Sequence, residues 1–123
     1  MGMLTREDIL KTALKTELIE VPEWGGSVVV REAMAADYDA YSQSLSTTVI
    51  DEEGDAQRTP NLGNASARLV VRCVFDNEGK RLFTDADAEA LGQKSSAAVE
   101  RVYRKIAAMS GMNRKAKAAL AKN

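Results

Sequence analysis

The side chains able to do chemistry in this chain are few. None of the 123 residues is a histidine, so Ser-His and Cys-His nucleophile pairs and imidazole metal sites are excluded, and only carboxylates, lysine, tyrosine or cysteine are left for catalysis. Asp85, Asp87 and Glu89 form an acidic cluster that could face a metal ion. The same three residues stand where a helix should begin, and the helix dipole favours carboxylates there without any metal. Asp76-Asn77-Glu78-Gly79 has the look of a calcium loop. However, the position that requires glycine falls on Arg81 and the closing glutamate position on Asp87, so the EF-hand pattern fails. Cys73, the single cysteine, lies on the apolar side of its segment with no neighbouring base, which reads as inert filler. Gly25-Gly26 lacks the context of a phosphate loop and reads as a turn. No catalytic constellation, metal site or cofactor motif emerges, and the chain reads as a non-enzyme. An enzyme using Asp or Glu would need a constellation that is not visible.

Side chains suited to binding are easier to find. Trp24, beside a glycine pair, is either a lid on the core or an exposed anchor for another protein. Arg68 and Arg72, four apart, could grip an acidic partner or form an ordinary solvated face. Arg101, Arg104 and Lys105 open a basic C-terminal region. Residues 100–123 carry seven Lys and Arg against Glu100, a charge of +6, leaving −7 for the rest within a net charge of −1. Such a split allows the tail to meet acidic surfaces, including nucleic acid through phosphate neutralisation. Against nucleic acid stand a tail without aromatics for base stacking and an overall pI near 5.5.

The elements that must hold these residues follow from periodicity and punctuation. The length fits one domain with a real core, and scarce aromatics imply a core of Leu, Ile, Val, Met and Ala. One cysteine precludes an internal disulfide and points to a reducing compartment. No apolar leader and no membrane-length apolar run is present, so a cytoplasmic location is expected. Thr5 and Asp8 have capping-box spacing ahead of a helix carrying Ile9, Leu10, Ala13 and Leu14. Leu18, Ile19 and Val21 face Val28-Val29-Val30 across Trp24-Gly25-Gly26-Ser27, a small β-hairpin with Pro22 outside the pairing. Ala35 to Ser44 reads as a helix, and Asp51 to Gly63 as an acidic loop. From Ala65 to Phe75 the apolar spacing favours a helix, with a strand as the alternative. Gly79 suits a positive φ after Asp76. Thr84 to Asp87 repeats the capping box before a short helix reaching about Gly92. The longest helix starts near Ser95 or Ser96, carries Val99, Val102, Tyr103, Ile106 and Met109, and ends before Gly111. The expected fold is α+β and predominantly α-helical, with about five helices and one small β-hairpin. It comprises a globular domain over 1–111 and a flexible basic tail over 112–123.

Read together, several of these signatures resemble a known family. They are Leu4-Thr5-Arg6-Glu7-Asp8-Ile9-Leu10, the Val21-Pro22-Glu23-Trp24-Gly25-Gly26 hairpin with Val28 to Glu32 behind it, and the stretch Asn64 to Gly111. That stretch runs from an arginine-bearing apolar helix through Asp76-Asn77-Glu78-Gly79 and Lys80 to Asp87 to a helix ending in Met109-Ser110-Gly111. Their order is similar to that of the tail assembly chaperones of long-tailed, siphovirus-type bacteriophages. The resemblance implies a non-enzymatic protein of the host cytoplasm, absent from the mature virion. It would shield the tape measure protein while tail tube subunits assemble; covering a partner much longer than itself requires many copies, and head-to-tail contacts between them would give an open helical array. It also implies a longer product made by −1 ribosomal frameshifting. Ala121-Lys122-Asn123 is compatible with the codons GCA AAA AAC, which contain a slippery run. The partner-binding residues expected are Trp24, Arg68, Arg72, Arg101, Arg104 and Lys105, with a nucleic-acid-binding accessory protein as the alternative function.

Overall fold

The computed structural model describes residues 2–112. At its centre is helix α3, Ala65–Cys73, which buries Ala67, Leu69, Val70, Val71 and Cys73. With apolar residues on most of its circumference, only a core position satisfies it. Its last turn passes directly into a two-residue strand, β5, Val74–Phe75. The helical reading of this stretch therefore holds up to Cys73, and the β-branched content is expressed at its end.

Strands β1, Thr16–Val21, and β2, Gly26–Arg31, form the expected hairpin around a 3₁₀ turn at Pro22–Trp24. Gly25 closes that turn at φ +80°, a conformation that glycine adopts without a Cβ penalty. The hairpin is larger than the sequence suggests, because β5 adds to β2 in the antiparallel order β1-β2-β5. Across the sheet Glu17, Val30 and Val74 share one register line, and Leu18, Val29 and Phe75 the next. Alternation puts these lines on opposite faces. Ile19, Val21, Val28, Val30 and Val74 belong to the core, whereas Leu18 is 68% exposed.

Helix α5, Ser96–Met109, covers the core face with Ala98, Val99, Val102, Ile106 and Ala107 buried. Ser95 caps its start by accepting from Ala98 N–H. Its end is a Schellman motif: Met112 N–H donates to Ala107 C=O at 2.7 Å and Gly111 N–H to Ala108 C=O, with Gly111 at φ +72°. Met112, placed in the tail by sequence, thus packs half-buried against the core. Residues 113–123, the rest of that tail, lie outside the described residues. Helix α4, Ala88–Leu91, follows a 3₁₀ turn over Asp85–Asp87 in which only the Asp87 half of the expected box forms, because the Thr84 hydroxyl donates to the Asp87 carboxylate at 3.3 Å and caps no N–H. The Thr84 N–H reaches the Asp87 carboxylate at 2.8 Å.

Two expectations need correction. Helix α1, Arg6–Leu10, has the predicted Thr5–Asp8 box but is only five residues long and buries none of them. Ala13 and Leu14 fall beyond it, because so short a helix needs a packed face to propagate and none is offered. The second correction concerns residues 46–60, which overlap the stretch Asp51 to Gly63 that the sequence presents as a loop. They form a second hairpin, β3, Ser46–Ile50, and β4, Ala56–Pro60, in a separate two-stranded sheet. Only Asp51 to Asp55 is a turn, with Gly54 at φ +84°. Helix α2, Ala35–Ser44, links the two sheets.

Candidate functional site

The expected binding residues divide into two groups, those consumed by the fold and those left at the surface. Arg72 belongs to the first. Its Nε donates to Asp37 at 3.0 Å and its NH1 to Asp85 at 2.8 Å. Asp37, in the first turn of α2, is 2% exposed. Arg31, at the end of β2, donates to the same carboxylate at 3.0 Å, and so does the Met34 N–H at 2.9 Å. One buried acid thus ties β2, α2 and α3 together, with two guanidinium groups supplying the compensation that a buried charge requires. The Arg31 guanidinium also stacks on the Phe75 ring, 4.3 Å from its centroid. Sequence reasoning missed Asp37, since an acid near a helix start reads as a dipole partner.

Arg68 is also spent internally. Its NH1 donates to Ser44 C=O at 2.6 Å and Asn61 C=O at 2.7 Å, and its NH2 to Gly63 C=O. These carbonyls flank the second hairpin, so Arg68 clamps its root. Arg81 holds the exit of α3 similarly, donating to Val71 C=O at 2.8 Å and to Asp85 at 2.9 Å. The hydrogen bond from Arg81, aided by Arg72, holds the Asp85 carboxyl below the usual carboxylate range. Of the acidic cluster, Asp85 thus faces arginines and Asp87 faces Thr84. Among the described residues no group of three or more acids or thiols converges on a metal-sized site. Burial pushes the Cys73 thiol up to about 12, which keeps it protonated and unreactive.

The second group lies on α5 and the hairpin turn. Arg101, Arg104 and Lys105 rim an open groove floored by Ile19 and Ala108. Each is exposed to some degree and faces one carboxylate: Arg101 meets Glu23, Arg104 meets Glu100 at 3.1 Å, and Lys105 meets Glu17 at 2.8 Å. Trp24 lies between its two readings. It packs half-buried against the core, and with Phe83, Ala90 and Leu91 it lines an open apolar groove of about 510 Å³ bordered by Glu23, Asp87 and Lys94. A third surface was not foreseen. Met3, Leu4, Ile9, Leu10 and Leu14 are exposed ahead of β1, and Leu18 on β1 adds to them. Its signal was the α1 periodicity, which sequence reasoning assigned to packing.

These features define a class by fold: a small α+β body with a three-stranded sheet under two core helices, a projecting hairpin, and open apolar and basic surfaces. The comparisons make the assignment specific. The sequence profile described as "Phage tail assembly chaperone" matches residues 8–122, and the chain belongs to that family. Its fold is similar to that of the bacteriophage HK97 tail assembly chaperone, with a TM-score of 0.58 at 18% identity over 78% of this chain and 85% of that one. None of the curated proteins matches the chain.

Proposed function

We propose that this chaperone binds and shields the tape measure protein during phage tail assembly and helps recruit tail tube subunits, catalysing no covalent step. The observation that carries this reading is the run of exposed apolar side chains before residue 19, on a protein whose family acts in tail assembly. So many exposed large apolar side chains in one short segment mark a contact for another chain. An amphipathic helix of a long partner fits such a surface by laying its apolar face on it. The Trp24 groove and the Arg101–Arg104–Lys105 face supply further contacts, while Arg68 and Arg72 serve the fold. The work is done in many copies in the host cytoplasm, and the chaperone leaves before the virion matures. The slippery run compatible with Ala121 to Asn123 would add a frameshifted longer form, which sequencing of those codons tests.

The direct test is co-expression with the tape measure protein of the same phage. The tape measure protein should move from the insoluble to the soluble fraction and co-purify with the chaperone. An insoluble partner at every chaperone level would overturn the reading.

A further inference from the structure

The arm formed by β3 and β4 is exposed along both strands: residues 47–50 and 52–60 are all on the surface. A two-stranded hairpin alone in water is marginal, and both of its edges are open to further pairing. Yet this arm is built with care at both ends. Arg68 clamps its root, and Asn61 N–H donates to Leu45 C=O at 2.7 Å. At the tip the Asp51 carboxylate accepts from Glu53 N–H at 3.0 Å and Asp55 N–H at 2.8 Å, while Asp51 N–H donates to Asp55 C=O. A shaped, anchored arm without packing of its own is arranged for an outside contact. Its chemistry is specific: Val49 and Ile50 are exposed beside Asp51, Glu52, Glu53 and Asp55, with Arg58 the single cation of residues 46–60.

The same molecule carries the complement. The α5 groove has an apolar floor, Ile19 and Ala108, beneath Arg101, Arg104 and Lys105. Each of these cations faces one carboxylate, Glu23, Glu100 or Glu17, in a partly exposed pair of the kind that contributes little and can exchange partners. Within one copy the arm and this face both stay open to solvent.

We propose that the arm of one copy docks Val49, Ile50 and its acidic tip on the Arg101–Arg104–Lys105 face of a second copy. Because the two patches differ, the contact is head-to-tail, and repetition gives a ring or an open array. The inference rests on the many-copy reading above and supplies its contact.

Charge reversal on each side tests it. One variant carries Glu52→Lys and Glu53→Lys, the other Arg104→Glu and Lys105→Glu, and mass is followed by light scattering against protein concentration. The unsubstituted protein should grow in mass with concentration, less so at high salt. Each variant alone should associate at least about tenfold more weakly, because like charges then meet. An equimolar mixture should regain association, since arm and face are complementary again in alternating copies, which also shows that both variants fold. Variants that associate like the parent would overturn this contact and leave the many-copy reading standing. Loss without recovery in the mixture would also overturn the contact. A parent that stays a monomer at every concentration would overturn both.

Discussion

Asp37 is the residue on which the body depends most. Its carboxylate is shared by Arg31, Arg72 and the Met34 N–H. Asp37→Asn should therefore lower stability by about 3–5 kcal/mol, because two largely buried guanidiniums lose their counter-charge. Urea unfolding measures this, and a midpoint close to the parent's would mean that solvent replaces the carboxylate. Other acids set the response to pH. Asp85 lies below its ordinary value through Arg81 and Arg72. Asp76 does so through the Lys80 and Glu78 N–H groups, and Asp8 and Asp51 through backbone bonds from Thr5 and Asp55 respectively. A lowered folded-state value means that the unfolded chain binds more protons in acid. Stability is thus fully present above the ordinary carboxylate range, near pH 4, and is lost as pH falls through the folded values. With no histidine, no such change is expected between about pH 5 and 7. Asp85→Asn should flatten the acid limb; an identical limb would show that Asp85 adds nothing to it.

The elements show what could be read in advance and what could not. Helix α5 and the hairpin β1–β2 were legible because a cap, glycines and apolar periodicity agreed. Asp37 was not, because its burial is decided by Arg31 and Arg72 on two other elements. The arm was hidden for another reason. A hairpin that buries nothing has no period-two apolar signal, and Asp51 to Asp55 drew the reading towards loop. In the candidate site, Arg101, Arg104 and Lys105 stand at the surface and Trp24 is half-buried between its two readings, whereas Arg68 and Arg72 turned inward to carbonyls and acids invisible in their own helix. Two outcomes follow for these elements. Arg68→Ala should open the arm locally, at a cost of about 1.5–3 kcal/mol for its charged hydrogen bonds. Amide exchange in residues 46–60 should then accelerate while α5 stays protected; uniform acceleration would mean that Arg68 supports the whole fold. Thr84→Ala should cost about 0.5–1.5 kcal/mol through loss of the hydrogen bond that its hydroxyl donates to Asp87, measured as a shifted denaturation midpoint at constant slope.

On the scale of the whole molecule, the surface proposed for partner capture lies apart from the core, and α1 is where the two separate most cleanly. Its Thr5–Asp8 box is complete, with hydrogen bonds of 3.0 and 3.2 Å, yet no residue of the helix is buried. The costly first turn is therefore already formed, and further growth lacks only a surface to pack on. Ile9 is 57% and Leu10 67% exposed, and the apolar spacing continues to Ala13 and Leu14. In the complex proposed above, a long apolar helix of the tape measure protein would offer the missing surface, so α1 should lengthen towards Leu14 as it binds. Replacing Ile9 and Leu10 together by Asp removes the apolar face without touching the core. Unfolding free energy should then change by less than about 0.5 kcal/mol per site, while the amount of tape measure protein kept soluble on co-expression should drop severalfold. Amide exchange across residues 11–14 should slow when the unsubstituted chaperone takes up its partner, and not in the variant. A variant that solubilises its partner as well as the parent would move the capture surface away from the N-terminal segment and onto the Trp24 groove, where Trp24→Ala would then be the decisive substitution.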